Sequence, residues 1–147
     1  MNVFIATDHA GFAIKDYVKE IIVGLGHQVT DLGPYNDDRV DYPDFAHKCA
    51  HSVVSQDSLG ILICGTGIGI SIAANKVQGV RAALCHDTYT ARLTREHNNA
   101  NILCFGERVV GKGVIEDMIK VFLSTEFEGG RHQDRVNKIE CCSYLEK

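Results

Sequence analysis

Cys64 closes a short apolar run, Ile61-Leu62-Ile63, and opens onto Gly65-Thr66-Gly67-Ile68-Gly69. That pattern reads as a buried strand, a tight turn and the start of a helix. Glycines let backbone approach a ligand without interference from Cβ. The unpaired amides of a helix's first turn prefer negative charge in front of them. A cysteine at the lip of such a turn sits where the thiolate is favoured. The chemistry implied is a base or nucleophile beside a backbone cradle for a small anion, or for an oxyanion formed during reaction.

Other readings of the glycines are weaker. The run is G-x-G-x-G, with Ile70 where a dinucleotide fingerprint needs its last glycine, although Asp87 lies about 20 residues on, where that fingerprint places its acid. A Walker A loop fails because Thr66 stands where lysine is required. His97, in Arg95-Glu96-His97-Asn98, is either a helix-terminal histidine favoured by the dipole or a general acid/base. Arg131 and Arg135, with His132, follow Gly129-Gly130 and read either as a solvated tail or as a bidentate phosphate clamp. His47 and His51 have metal-ligand spacing on one helix, but no glutamate or third ligand accompanies them, and they read as exposed.

These groups must be held by a scaffold, and 147 residues with 45% hydrophobic content suit one domain with a single core. A net charge of −4 argues against a general nucleic-acid binder. Apolar runs fall far short of the roughly 20 residues that cross a bilayer. The first residues lack a basic leader region, so the cytoplasm is the expected compartment. The cysteines have no C-x-x-C spacing; Cys49, Cys85 and Cys104 read as buried small hydrophobes, Cys141 and Cys142 as incidental tail residues.

Strands are expected at Val3–Ala6, Gln28–Leu32, Ile61–Cys64, Gly79–Leu84 and Asn101–Phe105. Helices are expected between them, the first with Ile14, Val18, Ile21, Ile22 and Leu25 on one face and Gly26 at its end. A second starts at Pro43, one runs to about Glu96, one follows Gly111, and a flexible arm from Phe127 precedes a short helix from about Asp134. Five strands alternating with helices predict a three-layer αβα sandwich, Rossmann-like, with a five-stranded parallel sheet and a C-terminal helical arm. Asp8-His9, the Cys64 turn, His86-Asp87 and His97-Asn98 each follow a strand or its helix, which predicts that the chemistry gathers at one rim, beyond the strands' carboxyl ends.

Six stretches in order carry a family resemblance: Asp8-His-Ala-Gly11, Asp41-Tyr-Pro43, the run from Cys64 to Lys76, Arg95-Glu-His-Asn98, Phe105-Gly-Glu-Arg108 and Glu128-Gly-Gly-Arg-His-Gln133. Together they resemble ribose-5-phosphate isomerase B, which is grouped with galactose-6-phosphate isomerase. The resemblance implies interconversion of ribose 5-phosphate and ribulose 5-phosphate through an enediolate, with no metal and no cofactor. It implies that Cys64 is the base, that Thr66 assists by hydrogen bonding and that the backbone amides of Gly65, Thr66, Gly67, Ile68 and Gly69 hold the enediolate oxygen. It further implies ring opening by His97, hydroxyl contacts from Asp8 and Asn98, and a phosphate ringed by His9, Arg108, Arg131 and Arg135. The partners implied are a small sugar phosphate and a second copy of the chain, in a homodimer or a tetramer. The site would lie between subunits, and residues from about 125 onward would reach the partner. A hexose-6-phosphate isomerase, acting on allose or galactose 6-phosphate, is the alternative within the class, and a nucleotide-binding module the alternative outside it.

Overall fold

The computed structural model describes residues 1–141, so Cys142 lies outside the described residues. Its elements in chain order are β1 (Asn2–Thr7), α1 (Phe12–Gly24), β2 (Gln28–Asp31), α2 (Tyr42–Ser55), β3 (Leu59–Cys64), α3 (Ile68–Ala74), β4 (Ala82–Leu84), α4 (Thr88–Asn98), β5 (Ile102–Gly106), α5 (Lys112–Ser124) and α6 (Arg131–Glu140). The strands pair in parallel in the order β2-β1-β3-β5-β4. Helices cover both faces, so the central strands are apolar at every position rather than alternating. Odd-numbered residues of β1, β3 and β5, such as Ile5, Ile63 and Phe105, pack on Ile14, Val18 and Ile22 of α1 and on Met118 and Phe122 of α5. Their even-numbered neighbours, Ala6, Leu62 and Cys104, pack on Cys49 and Val53 of α2 and on Ile70 and Ala74 of α3. The three-layer parallel fold expected from the sequence is therefore the fold observed.

Most other boundaries shift by one or two residues, and three differences bear on the site. β4 begins at Ala82 rather than Gly79, because the Asn101 side chain donates to the Gly79 carbonyl at 2.9 Å and accepts from the Arg81 amide at 2.8 Å. α4 extends through His97 and Asn98 and ends where Asn99 turns left-handed at φ 45°. α6 starts at Arg131, immediately after Gly129 and Gly130, so Arg131 and His132 lie on a helix rather than in an arm. Leu25, expected on the buried face of the first helix, instead ends α1 and is partly exposed.

Cys49, Cys85 and Cys104 are buried as expected, and Cys141 is exposed. Burial pushes the Cys49 thiol up to about 12 and Cys85 up to about 11, and it raises Cys104 well above the ordinary range. None of these three is equipped to ionise near neutrality. Among the described residues no helix is long and apolar enough to cross a membrane.

One buried charge braces the loop after β2. Lys15, only 2% exposed, reaches Asp31 at 3.0 Å and also donates to the Pro34 carbonyl. Burial tends to raise the Asp31 carboxyl, but the Gly33 amide, Lys15 and Lys19 outweigh it and hold the group below its usual range. The unfolded chain therefore binds this proton more readily than the folded one. Stability from Asp31 is present above the ordinary carboxylate range and is lost as pH falls through the folded value. Lys15→Ala should cost about 3 kcal/mol in urea unfolding at neutral pH. Asp31→Asn should flatten the loss of stability in the acid range; an unchanged acid slope would refute the assigned linkage.

Candidate active site in two halves

Gly67 sets the geometry of the first half. Its φ is +79°, and a Cβ there would lie 2.6 Å from Leu84 Cδ1 and 2.7 Å from the Phe105 carbonyl carbon. Both facts demand glycine. The turn aims the Gly67 N–H at Cys64 Sγ, 3.1 Å away, while the Ile68 N–H donates to Thr66 Oγ1 at 3.3 Å. Two amides of the expected cradle are thus engaged inside the turn, one of them on the sulfur itself. Cys64 is the last residue of β3 and points to the face covered by α2 and α3. Thr66 is exposed.

Neighbouring strand ends bring further groups to this rim. Asp8, buried just after β1, accepts from the Ala10 and Gly11 amides at 2.9 and 3.1 Å, which fixes its carboxylate at the entry to α1. His9 Nδ1 accepts from the Val40 N–H at 3.3 Å, so in the neutral ring the proton sits on Nε2. Both residues line a cavity of about 510 Å³ with Arg39, Asp41 and Tyr42. The Tyr42 ring lies so close to Gly69 that a Cβ there would be 2.5 Å from Cζ, which joins this cavity to the Cys64 turn. Arg108 follows β5, and its Nη1 would be 3.2 Å from a Cβ on Gly65. Asp87, the acid that a dinucleotide site would use, accepts from the Thr90 amide at 2.7 Å and caps α4.

His97, Asn98, Arg131 and Arg135 do not join this group. A helix that follows a strand runs back along the sheet, and the eleven residues of α4 carry the chain about 16 Å away from the rim. The Asn98 and Asn99 carbonyls accept from Arg81 Nε at 3.2 and 3.1 Å, and Arg81 immediately precedes β4. His97 and Asn98 therefore lie at the strands' amino ends, and the expectation of one rim is corrected. The His97 ring stacks on the His132 ring with centroids 4.2 Å apart and an interplanar angle of 12°. His132 is buried, while Arg131 and Arg135 are exposed on the same helix, beside that stack. His132 Nε2 lies 3.4 Å from Glu128 Oε2.

Donor atoms of His97, Glu128 and His132 all lie within 4.8 Å of one another. In two nearly parallel stacked rings, however, the in-plane nitrogen lone pairs run along separate planes and do not converge on one ion. His47 and His51 are exposed on α2, as expected. Two side chains that shape the two halves, Tyr42 and Glu128, carried only positional signals in the sequence, each sitting inside a motif; His132 reads there only as a member of the basic cluster with Arg131 and Arg135.

The profile of the Ribose/Galactose Isomerase family matches residues 3–139. Ribose-5-phosphate isomerase B of Escherichia coli is 46% identical, over 90% of this chain and 89% of its own length. The solved structure of Clostridium thermocellum ribose-5-phosphate isomerase B aligns over all of both chains with TM-score 0.95 and 47% identity. That of Mycoplasma genitalium ribose-5-phosphate isomerase B with bound ribulose-5-phosphate aligns with TM-score 0.91 and 46% identity, covering 99% of this chain and 97% of that one.

Gly67→Ala should lower stability by about 2 kcal/mol or more, since it meets both a forbidden φ and two close contacts. Gly113→Ala, within α5 and with nothing within 4 Å of the added Cβ, should instead stabilise by up to about 1 kcal/mol. Paired thermal melts check the contrast; equal effects at both positions would contradict the constraint assigned to the turn.

Proposed function

The chain belongs to the ribose/galactose isomerase family, and on that premise we propose that it interconverts D-ribose 5-phosphate and D-ribulose 5-phosphate at a site completed by a second copy of itself. The observation that carries this reading is the division of the candidate residues between opposite ends of one sheet. The sulfur, the glycine turn, Asp8, His9 and Arg108 occupy one end, and His97, Asn98, Arg131 and Arg135 the other. One small sugar phosphate cannot touch both ends of a single chain. In a twofold dimer the carboxyl-end half of one protomer meets the amino-end half of its partner, and symmetry makes two such sites. Ile68 and Ile72 of α3, 51% and 57% exposed beside the turn, supply apolar surface that such a contact would cover.

In this reading the partner's arm of the site opens the furanose: the C1–ring-oxygen bond breaks, the C1 hydroxyl gives up its proton as its oxygen becomes the aldehyde, and His97 of that copy, as acid and base, delivers a proton to the ring oxygen. Cys64, as thiolate, then takes the proton from C2 of the open aldose. Negative charge develops on O1 and is stabilised by amides of the Gly65–Gly69 turn. The proton on O2 shifts toward O1, and the thiol returns its proton to C1, which leaves a C2 ketone. The Gly67 N–H aimed at Sγ is the donor that an anionic sulfur needs. Because Thr66 Oγ1 accepts from Ile68, its own O–H remains available to donate to a sugar oxygen. Asp8, fixed by two amides, holds a hydroxyl, as does Asn98 of the partner copy. His9 and Arg108 from one copy, with Arg131 and Arg135 from the other, surround the phosphate.

Cys64→Ala should lose at least about 10³-fold in turnover while keeping its melting transition. His97→Asn should be nearly inactive on ribose 5-phosphate. Unfolded together and refolded at equal amounts, these two variants should recover roughly a quarter of wild-type activity, since half the dimers are mixed and each holds one intact site. No recovery, with mixed dimers demonstrated by mass spectrometry, would refute the shared site. Arg135→Ala should raise KM for ribose 5-phosphate about tenfold with a smaller change in kcat; an unchanged KM would move the phosphate elsewhere.

A further inference from the structure

We propose that His132 is a positioning residue for His97, holding its ring in the orientation that ring opening needs. This rests on the reading above, in which His97 opens the sugar ring. His97 is half-buried on the last turn of α4, one residue before Asn98 and two before the left-handed Asn99. The backbone there is pinned, with the Asn99 and Ala100 amides donating to Arg95 and Thr94, but the side-chain torsions are free, so productive orientation of the ring carries an entropic cost. His132 reduces that cost. His132 is 8% exposed, and its ring, stacked on His97 with centroids 4.2 Å apart, blocks rotation toward one side.

His132 is itself held from two directions. Its own N–H donates to the Gly129 carbonyl at 3.1 Å, and its Nε2 faces Glu128 Oε2 at 3.4 Å. Glu128 is tied to the same turn of α4, because its N–H donates to the Glu96 carbonyl at 3.1 Å. The stack, the carboxylate and the backbone bond make one closed unit linking the end of α4 to the start of α6. Arg131 and Arg135 stand on the same helix as His132. The element that presents guanidiniums to the phosphate therefore also sets the plane of the imidazole, which fixes the distance between phosphate and ring oxygen along one rigid body.

The test separates ring opening from proton transfer. Ribulose 5-phosphate has no free hydroxyl at C5 and cannot close to a furanose, so exchange of its C1 proton into D₂O reports the Cys64 step without a ring step. His132→Ala should lower kcat on ribose 5-phosphate about tenfold or more, and leave C1 exchange from ribulose 5-phosphate within about twofold of wild type. His132→Phe, which keeps a flat ring in the stack, should recover most of the loss. Equal losses in both assays would reduce His132 to a general structural role and overturn the proposal. So would an unaffected His132→Ala enzyme, or a His132→Phe enzyme as impaired as His132→Ala. Absence of either activity in the wild-type protein would instead sink the isomerase reading itself, and Cys64→Ala, expected to lose both, reports on the base independently.

Discussion

With only hydrogen at Gly106, the turn after β5 lies directly against the turn after β3: a Cβ there would be 2.5 Å from the Thr66 carbonyl carbon and 2.7 Å from the Gly65 oxygen. The contact is locked by two backbone bonds, from the Glu107 N–H to the Cys64 carbonyl at 2.9 Å and from the Arg108 N–H to the Gly65 carbonyl at 3.1 Å. It continues the register of the two central strands, in which Cys64 pairs with Gly106. Consequently the sulfur, the left-handed Gly67 and the Arg108 guanidinium are placed by the most buried part of the sheet rather than by a mobile loop. A site built on these groups would be held before substrate arrives, with little reorganisation left to be done during reaction.

Much of this was legible locally. Apolar runs of four to six residues ending in glycine announced β3 and β5, a 3.6-residue period announced α1, and Pro43 and Gly111 marked the starts of α2 and α5. What escaped the sequence was set by distant partners. Lys15 sits on the inner face of α1 as a charge, and nothing nearby in sequence says that Asp31 and Pro34 will receive it. β4 is trimmed by Asn101, twenty residues along, and its open edge is bonded by Asn75, whose side chain exchanges two 2.8 Å hydrogen bonds with the backbone of Ala82. α6 reads as polar, and only its packing on α4 reveals that His132 and Val136 form an inward face.

The candidate site shows the same limit at a larger scale. Residue types and motif order named both halves, but order along the chain does not say which end of the sheet a residue occupies. A strand's last residue lies at the carboxyl rim, and the last turn of the following helix lies at the other end. Cys64 and His97 obey that alternation, so a reading that treats both as following a strand merges two places into one. The βαβ crossover is what parts them.

That separation has a chemical consequence in the proposed dimer. An imidazole acid beside a thiolate in one chain would pair with it, and each would satisfy the other instead of the sugar. Held on different copies, as proposed, the two would approach the substrate from opposite sides, the base at C2 and C1 and the acid at the ring oxygen. The sugar then stands between them. The proposed arrangement would also tie assembly to activity, because an isolated protomer would hold a base with no ring-opening acid at one end and an acid with no base at the other. The exposed Ile68 and Ile72 border the turn that follows Cys64. Covering them would thus both stabilise the dimer and exclude water from the developing enediolate, so one apolar contact would serve association and chemistry together.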